Sequence, residues 1–195
     1  MQFDGLKIGF AVTGSHCTLN EIIKVMKRLV NEGADVTPII SYSVESTDTR
    51  FGKAKDWKRQ FQEITQREPI HTINEAEPIG PKNMFDCVVI APCTGNTLAK
   101  LANGIIDTPV LMAAKSHLRN QKPVVLAIST NDGLGLNARN IGTLLITKNI
   151  YLVPFGQDNP QVKANSLVAH MDKVEETILM ACAGKQIQPL LLDYR

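Results

Sequence analysis

Short apolar runs alternate with segments of helical periodicity along this 195-residue chain. Each apolar run has the length of a buried strand and ends at small, polar or proline residues. The segments between them carry apolar residues at intervals of three and four, which is typical of helices packed on one face. This order predicts a three-layer α/β/α fold with a doubly wound, Rossmann-like or flavodoxin-like parallel sheet of about six strands. The predicted strands span residues 7–13, 35–40, 85–91, 123–128 and 150–153.

Local signals suggest where the helices begin and end. Thr18 and Glu21 have the spacing of a capping box, which predicts a helix from there to Gly33. Residues 47–66 predict a surface helix with a loop, and residues 166–183 predict one long amphipathic helix. The whole chain, residues 1–195, is expected to form one domain. Its tail, residues 185–195, is expected to dock on this domain or on a neighbouring subunit.

Composition narrows the class of protein. The net charge is +2, without a clustered basic face, so no nucleic-acid partner is expected. No leader-like start and no long apolar span is visible, so we expect a cytoplasmic protein without a membrane partner. Four cysteines occur without a CxxC pair, and neither disulfides nor a metal site is expected.

Polar residues follow the predicted strands, where ligands bind in doubly wound sheets. Gly14 and Ser15 follow the first strand, and Ser41 and Ser43 follow the second. Backbone N–H groups and hydroxyls of this kind can bind a phosphate, although an ordinary capped turn or polar loop would look the same. Neither a GxGxxG motif nor a P-loop lysine is present, which disfavours a dinucleotide or P-loop site.

Residues 91–107, APCTGNTLAKLANGIID, carry the most informative motif. This run resembles the flavin-binding turn and following helix of the homo-oligomeric flavin-containing cysteine decarboxylase (HFCD) superfamily. The resemblance implies an FMN cofactor, and a homo-oligomer, trimeric or dodecameric, with the flavin between subunits. The residues that it implies for flavin binding are Gly14, Ser15, Ser41, Ser43, Pro92, Cys93, Thr94, Asn96, Ser129 and Thr130.

The sequence departs from the superfamily at its catalytic motif. Residues 129–132, STND, stand where the decarboxylases carry Pro-Ala-Met-Asn, and Asn131 is taken as the retained residue. His71 follows a stretch similar to the one before the decarboxylases' catalytic histidine, and histidine can carry protons near neutral pH. A flavin-dependent decarboxylase of a cysteine-type substrate, with His71 and Asn131 as catalytic residues, is therefore one alternative. A surface role for His71 is the other interpretation.

Residues 113–119, 123–141 and 152–158 resemble one branch of the superfamily, the family of dipicolinate synthase B subunits. This implies oxidation of dihydrodipicolinate to dipicolinate in the mother cell of a spore-forming bacterium, with an A subunit that carries NADP. Because the substrate is a small dicarboxylate, cationic side chains should face it. Lys100, Arg119 and Arg139 are the candidates, although ordinary surface charges would also explain them. A third possibility is a non-catalytic protein that scaffolds or activates its partner.

Overall fold

One mixed sheet of seven strands lies at the centre of the fold in a computed structural model that describes residues 2–193. Apolar side chains of the strands form a continuous core with the helices that cover both faces of the sheet. The strands are β1 Lys7–Val12, β2 Asp35–Ile40, β3 Cys87–Thr94, β4 Val124–Thr130, β5 Ile150–Leu152, β6 Phe155–Gln157 and β7 Leu167–Ala169.

Helices lie on both faces of this sheet. They are α1 Leu19–Asn31, α2 Tyr42–Ser46, α3 Ala54–Thr65, α4 Ile73–Ala76, α5 Gly95–Ala102, α6 Pro109–Arg119, α7 Asn137–Leu145 and α8 Val174–Cys182. Helices α1 and α8 pack together and against the central strands, while α5 and α6 contact the sheet and each other. The predicted three-layer α/β/α fold is confirmed.

The strand order places a topological switch beside β1. β1 pairs in parallel with β2 on one side and with β3 on the other, and β3 pairs in parallel with β4. The chain therefore leaves β1 in one direction and returns to continue in the other. Such a reversal opens a crevice at the carboxyl ends of the strands, where ligands bind in sheets of this kind.

The outer edge of β4 is shared by two strands. Its first three residues pair in parallel with β5, whereas Ser129 and Thr130 at its end pair antiparallel with β7. The β6–β7 hairpin therefore extends the sheet at the carboxyl edge. This arrangement makes the sheet mixed, which the prediction of a parallel sheet did not include.

The helix predicted over residues 166–183 is wrong at its start, where the structure has the second strand of the hairpin. Leu167 and Ala169 are buried in β7, and the helix, α8, begins only at Val174. The apolar residues 167–169 form a run too short to distinguish a strand from a helix. The backbone pairing of β7 with both β4 and β6 shows that these residues form a strand.

Two other predicted boundaries also shift. Thr18 forms no capping box, because its hydroxyl donates to the Ser15 carbonyl at 2.7 Å within a short 3₁₀ turn before α1. The helix predicted within residues 47–66 begins at Ala54, and it buries Trp57 and Phe61 against the core. It is thus an amphipathic cover for β2.

The described part of the tail lies along the chain's own sheet. Phe155 N donates to the Leu190 carbonyl, and Leu192 N donates to the Phe155 carbonyl, both at 3.0 Å. Residues 194–195 of the predicted docking tail lie outside the described residues. This segment covers the edge strand β6, whose backbone groups would otherwise be unpaired.

Candidate functional site

Three adjoining cavities lie at the carboxyl edge of the sheet. The first, here called the strand-end cavity, has a volume of about 730 Å³ and lies over the ends of β1, β3 and β4. This volume is in the range of small-molecule sites. Its lining residues are Gly14, Ser15, Cys17, Thr18, Glu21, Thr94, Gly95, Asn96, Ser129, Thr130, Asn131, Asp132, Asn137, Asp158, Lys163 and Val168.

The second cavity, the hydroxyl cavity, has a volume of about 400 Å³ and lies between β1, β2 and the start of α5. Most of its lining side chains carry hydroxyl groups, and Lys100 adds a positive charge. The side-chain oxygen of Ser41 is buried and has no hydrogen-bond partner among residues 2–193. The lining residues are Thr13, Gly14, Ser41, Tyr42, Ser43, Thr94, Asn96, Thr97, Lys100 and Thr108.

The third cavity, the amide cavity, has a volume of about 560 Å³ and lies between α5 and α7. Asn96 lines all three cavities, so the cavities adjoin one another, and together they are called the connected groove. The lining residues of the amide cavity are Gly95, Asn96, Ala99, Asn103, Asp132, Gly135, Leu136, Asn137, Arg139 and Asn140.

Buried hydroxyl bonds join the strand ends beneath the groove. Thr13 donates to the Pro92 carbonyl at 2.6 Å and accepts from Thr94 N at 3.1 Å. The hydroxyls of Ser15 and Ser129 share a hydrogen bond of 2.8 Å between β1 and β4. These hydrogen bonds therefore hold the bottom of the groove in place relative to the strands of the sheet.

Gly95 allows α5 to approach the end of β4 closely. A Cβ atom at this position would overlap the Thr130 hydroxyl and would lie 2.7 Å from Asn137 Nδ2. Glycine at this position therefore has a structural consequence. It makes room for a threonine and an asparagine that both line the strand-end cavity.

A chain of side-chain amides connects α5 to α7. Asn103 Nδ2 donates to Asn140 Oδ1 at 3.4 Å, and Asn140 Nδ2 donates to Asn137 Oδ1 at 2.9 Å. Asn137 Nδ2 then donates to Asp132 Oδ2 at 3.4 Å. Asn137 and Asn140 are buried, so the chain fixes their orientation.

Asp132 lies where the strand-end and amide cavities meet. Its other carboxylate oxygen, Oδ1, accepts from the backbone N–H of Leu136 at 3.2 Å. A Cβ atom at Gly135 would overlap this oxygen, so glycine is the residue that admits the carboxylate. Both oxygens of Asp132 therefore have defined neighbours.

Among the described residues, each cavity contains one cationic side chain, and the strand-end cavity also contains the carboxylates of Glu21, Asp132 and Asp158. Lys163, in the β6–β7 loop, lines the strand-end cavity and contacts Asp158 at 2.8 Å, which raises the pKa of Lys163. Lys100 Nζ lies 2.6 Å from Asp107 Oδ2. Arg139 lines the amide cavity. Anionic groups of a ligand would therefore find a cation in each cavity.

The two cysteines near the groove differ in their environment. Cys93 is fully buried, and this burial raises the pKa of its thiol to about 12. Cys17 is exposed and lines the strand-end cavity, with its sulfur 3.7 Å from the Ser15 hydroxyl. Because Cys93 stays a thiol near neutral pH, a redox role for the Cys17–Cys93 pair is disfavoured.

His16 contacts Ser43, a residue that lines the hydroxyl cavity. Its Nε2 atom lies 3.3 Å from the Ser43 hydroxyl, and burial lowers the pKa of the ring. Gly14 lies beneath this pair, because a Cβ at that position would lie 2.6 Å from the Ser43 oxygen. A neutral imidazole at this position can donate or accept a hydrogen bond.

Most of the residues predicted for ligand binding converge on the groove, although their roles remain proposals. Pro92 and Cys93 are buried in β3 and are not among the residues that line the three cavities. The predicted residues that line the groove are Gly14, Ser15, Ser41, Ser43, Thr94, Asn96, Lys100, Ser129, Thr130, Asn131 and Arg139.

His71 and Arg119 are not among the residues that line the three cavities. The His71 ring lies beyond β2, 3.3 Å from Glu45 Oε1 and 3.4 Å from Glu75 Oε2. Arg119 is the last residue of α6, whose N-terminal cap, Thr108, lines the hydroxyl cavity. Eleven helical residues span roughly 15 Å, so Arg119 lies at the opposite edge of the sheet.

Sequence reasoning misses the residues that surround Asp132. Asp132 lies within the segment compared with the decarboxylase motif, but that comparison selects only Asn131. Lys163 lies in a loop for which the sequence predicts no role. The amide chain joins residues from α5, α7 and the loop after β4, and no local pattern reveals such a meeting of separate segments.

The fold and groove define a flavoprotein-type α/β protein, and residues 2–175 match the family described as Flavoprotein. The chain belongs to this family. The B subunit of dipicolinate synthase from Bacillus subtilis (strain 168) is 52% identical over 97% of this chain and 94% of its own length. The crystal structure of the B subunit of dipicolinate synthase from Bacillus halodurans C superposes with a TM-score of 0.92, at 53% identity and full coverage of both chains.

These findings confirm the predicted resemblance to dipicolinate synthase B subunits within the flavoprotein superfamily. A more distant fold match is Burkholderia xenovorans DmrB in complex with FMN, described as a cubic protein cage for redox transfer. It covers 82% of this chain and 92% of its own, with a TM-score of 0.62 and 23% identity. Among the residues that the structure describes, no helix combines the length and apolar character needed to cross a membrane.

Proposed function

We propose that this chain is the B subunit of a dipicolinate synthase and binds FMN in the connected groove. Together with a nicotinamide-binding A subunit that carries NADP, it oxidises dihydrodipicolinate to dipicolinate in the cytoplasm of the mother cell. The observation that carries the proposal is 52% identity to a dipicolinate synthase B subunit over nearly the whole chain. The groove supplies a site of suitable chemistry.

The hydroxyl cavity fits the phosphate end of FMN. Its hydroxyls include the unpartnered Ser41 oxygen, and Lys100 supplies a positive charge on α5. A phosphate needs several donors and at least one cation, and this cavity offers both. We therefore assign Lys100 to the cofactor phosphate, and Gly14, Ser43 and Thr94 to its surroundings.

The adjoining cavities fit a planar ring and a dianionic substrate. When bound, a flavin accepts two electrons from a dihydropyridine ring. The chain's own residues hold the substrate: Arg139 and Lys163 provide cations for its two carboxylates. We retain Asn96 and Asn131 as polar contacts to the rings, and we drop Arg119, which lies at the opposite edge of the sheet.

A homo-oligomer, trimeric or dodecameric, completes the proposal. Leu136 directly precedes α7 and Ile146 directly follows it, and they are 87% and 88% exposed. Two such large apolar side chains, one at each end of a helix that borders the groove, suit contact with a second copy of the chain. Sedimentation of wild type and of Leu136→Asp tests this, because the variant should shift toward the monomer.

Absorbance tests the two main parts of the proposal separately. The purified protein should show oxidised-flavin bands near about 370 and 450 nm, as expected for this cofactor class. The co-expressed A and B pair should form dipicolinate, detected by its ultraviolet absorbance, with NADP⁺ as the final oxidant. Full dipicolinate formation by the partner without this chain would contradict the requirement for it. A colourless protein that still activates its partner would favour the scaffold role.

A further inference from the structure

We infer that Asp132 is the group that removes the ring proton during oxidation of the substrate, an inference that rests on the proposed function. It deepens that function because the residues identified for the cofactor and the substrate carboxylates include no proton acceptor. The amide chain ends at this carboxylate, which also lies where the strand-end cavity and the amide cavity meet.

The hydrogen-bond directions suit an ionised acceptor. At one end of the amide chain, Asn103 Nδ2 donates to the Ala99 carbonyl at 2.7 Å as well as to Asn140. Each following amide donates onward, and the last N–H reaches Asp132 Oδ2. A carboxylate fits at the end of this chain because both of its oxygens can accept a hydrogen bond. An amide at the same position would place its own N–H group opposite one of the two donors.

The donors that hold Asp132 are neutral. Leu136 N and Asn137 Nδ2 fix the carboxylate without neutralising it. Asp158, which lines the strand-end cavity too, is instead paired with Lys163 at 2.8 Å. Among the residues that the structure describes, Asp132 forms no ion pair, whereas Asp158 does. Asp132 is therefore the one of these two carboxylates that no cation occupies.

The location of Asp132 matches the chemistry. It lines both the strand-end cavity, which Lys163 also lines, and the amide cavity, which Arg139 also lines. A ring that extends from one cavity into the other would lie near the Asp132 carboxylate. Half-buried Asp132 also has a route to water, by which it can release the proton after each turnover.

Electrons and hydrogens balance in this oxidation. Oxidation would break one ring C–H bond of the dihydropyridine, and a bound flavin would accept that hydrogen with its electron pair as a hydride. A second hydrogen leaves the ring as a proton to an Asp132 oxygen, and its bonding electrons stay in the ring, which becomes aromatic. The substrate has then lost two electrons and two hydrogens. The nicotinamide of the partner would then re-oxidise the flavin by accepting that hydride, so that no electrons are left over.

Two measurements on the co-expressed pair test this role, using Asp132→Asn, Asp132→Glu and Asp132→Ala. The first is the pH profile of dipicolinate formation. The second is deuterium uptake by the substrate ring in D₂O without NADP⁺, followed by NMR, which reports proton removal apart from net turnover. Asp56→Asn, a charge-neutralising change on the exposed face of α3, is the matched control.

We expect Asp132→Asn to lower kcat roughly 10²- to 10⁴-fold, the usual contribution of a general base, and to abolish ring deuteration. Flavin absorbance and KM should stay close to those of wild type. Asp132→Glu should retain part of the activity, and formate should rescue Asp132→Ala, which a purely structural defect would not permit. Asp56→Asn should match wild type in both measurements.

The outcomes separate this inference from the proposed function. A wild-type pair that forms no dipicolinate would overturn the proposed function itself. An active wild type together with an equally active Asp132→Asn, or with undiminished ring deuteration, would overturn only the role of Asp132. If Asp132→Asn fails to fold, Asp132→Glu and the formate experiment decide the same question.

Discussion

The two edges of the sheet carry similar polar residues but use them differently. At the amino edge, Lys122 Nζ donates to the Phe85 carbonyl at 2.6 Å, and Asp86 accepts from Lys7 N at 3.0 Å. Asn120 Nδ2 donates to the Gly80 carbonyl at 2.7 Å. These side chains bond to the backbone of neighbouring segments, so they close this edge.

At the carboxyl edge, polar side chains line cavities instead. Ser41, Asn96 and Asn131 line the connected groove, and the Ser41 oxygen has no partner among the described residues. The difference teaches that polar composition alone does not identify a ligand site. What matters is whether the polar groups are already bonded to the chain or face a cavity.

The largest effect predicted from this comparison concerns His117 at the amino edge. The ring is buried, and this burial, together with the charge of Lys122, lowers its pKa from 6.5 to about 4. The folded state therefore resists protonation, whereas the unfolded chain accepts a proton below its ordinary pKa. Stability is retained above about pH 6.5 and falls as the pH drops from there to about 4, by about 3 kcal/mol in total.

Urea denaturation of wild type and His117→Gln between pH 7 and pH 4 measures this loss. Carboxylates titrate in the same range, so the difference in slope between the two proteins is the informative quantity. The wild type should lose stability more steeply between about pH 6.5 and 4. Parallel curves would mean that His117 is not held neutral by its surroundings.

A glycine pair tests the carboxyl edge. Gly95→Ala introduces a Cβ atom that would collide with Thr130 and Asn137, so FMN affinity should fall roughly 10- to 100-fold, as expected from about 1–3 kcal/mol of overpacking. Gly142 on α7 is the matched control, because a Cβ there meets nothing within 4 Å. Gly142→Ala should leave FMN affinity unchanged and stabilise the helix by about 0.5–1 kcal/mol.

Flavin fluorescence titration and thermal unfolding distinguish the two variants. Equal FMN affinities for Gly95→Ala and Gly142→Ala would show that the close approach of α5 to β4 does not shape the groove. That result would also weaken the assignment of Thr130 and Asn137 to the site.

Sequence reasoning predicts the parallel part of the fold well, since strands β1 to β4 are continuous apolar runs. It misses β7 because the apolar run at residues 167–169 is too short to distinguish a strand from a helix. Antiparallel pairing with β4 and β6 is a contact between distant segments. Local periodicity carries no information about such contacts.

The candidate site divides in the same way. Residues directly after strands, such as Ser15, Thr94 and Ser129, can be found from the sequence because the carboxyl edge is the expected location of a ligand. The candidate roles of Asp132 and Lys163 cannot be predicted from the sequence, because they depend on which cavity each side chain lines in the folded chain. For Arg119, the sequence predicts a site residue that the structure does not place at the groove. Its guanidinium group suits a dicarboxylate, but Arg119 lies at the far end of α6, at the opposite edge of the sheet.

The smallest effects come from two lysines of almost equal exposure, one at each edge. The side chain of Lys100 at the carboxyl edge is 25% exposed, and that of Lys122 at the amino edge is 24% exposed. Lys100→Ala should weaken FMN binding about 10-fold, as for loss of one charge-assisted contact. Lys122→Ala should instead lower the free energy of unfolding by about 1 kcal/mol, because the Phe85 carbonyl loses its donor.

Each lysine variant is the control for the other, since both lose one charge and a long side chain of similar burial. FMN titration should separate Lys100→Ala from wild type, and urea denaturation should separate Lys122→Ala. Weaker FMN binding by Lys122→Ala would contradict a closed amino edge. A Lys100→Ala protein with unchanged FMN affinity and lowered stability would mean that the Lys100–Asp107 contact serves the fold. Lys100 would then contradict the proposed difference between the two edges, in which side chains at the carboxyl edge face a ligand.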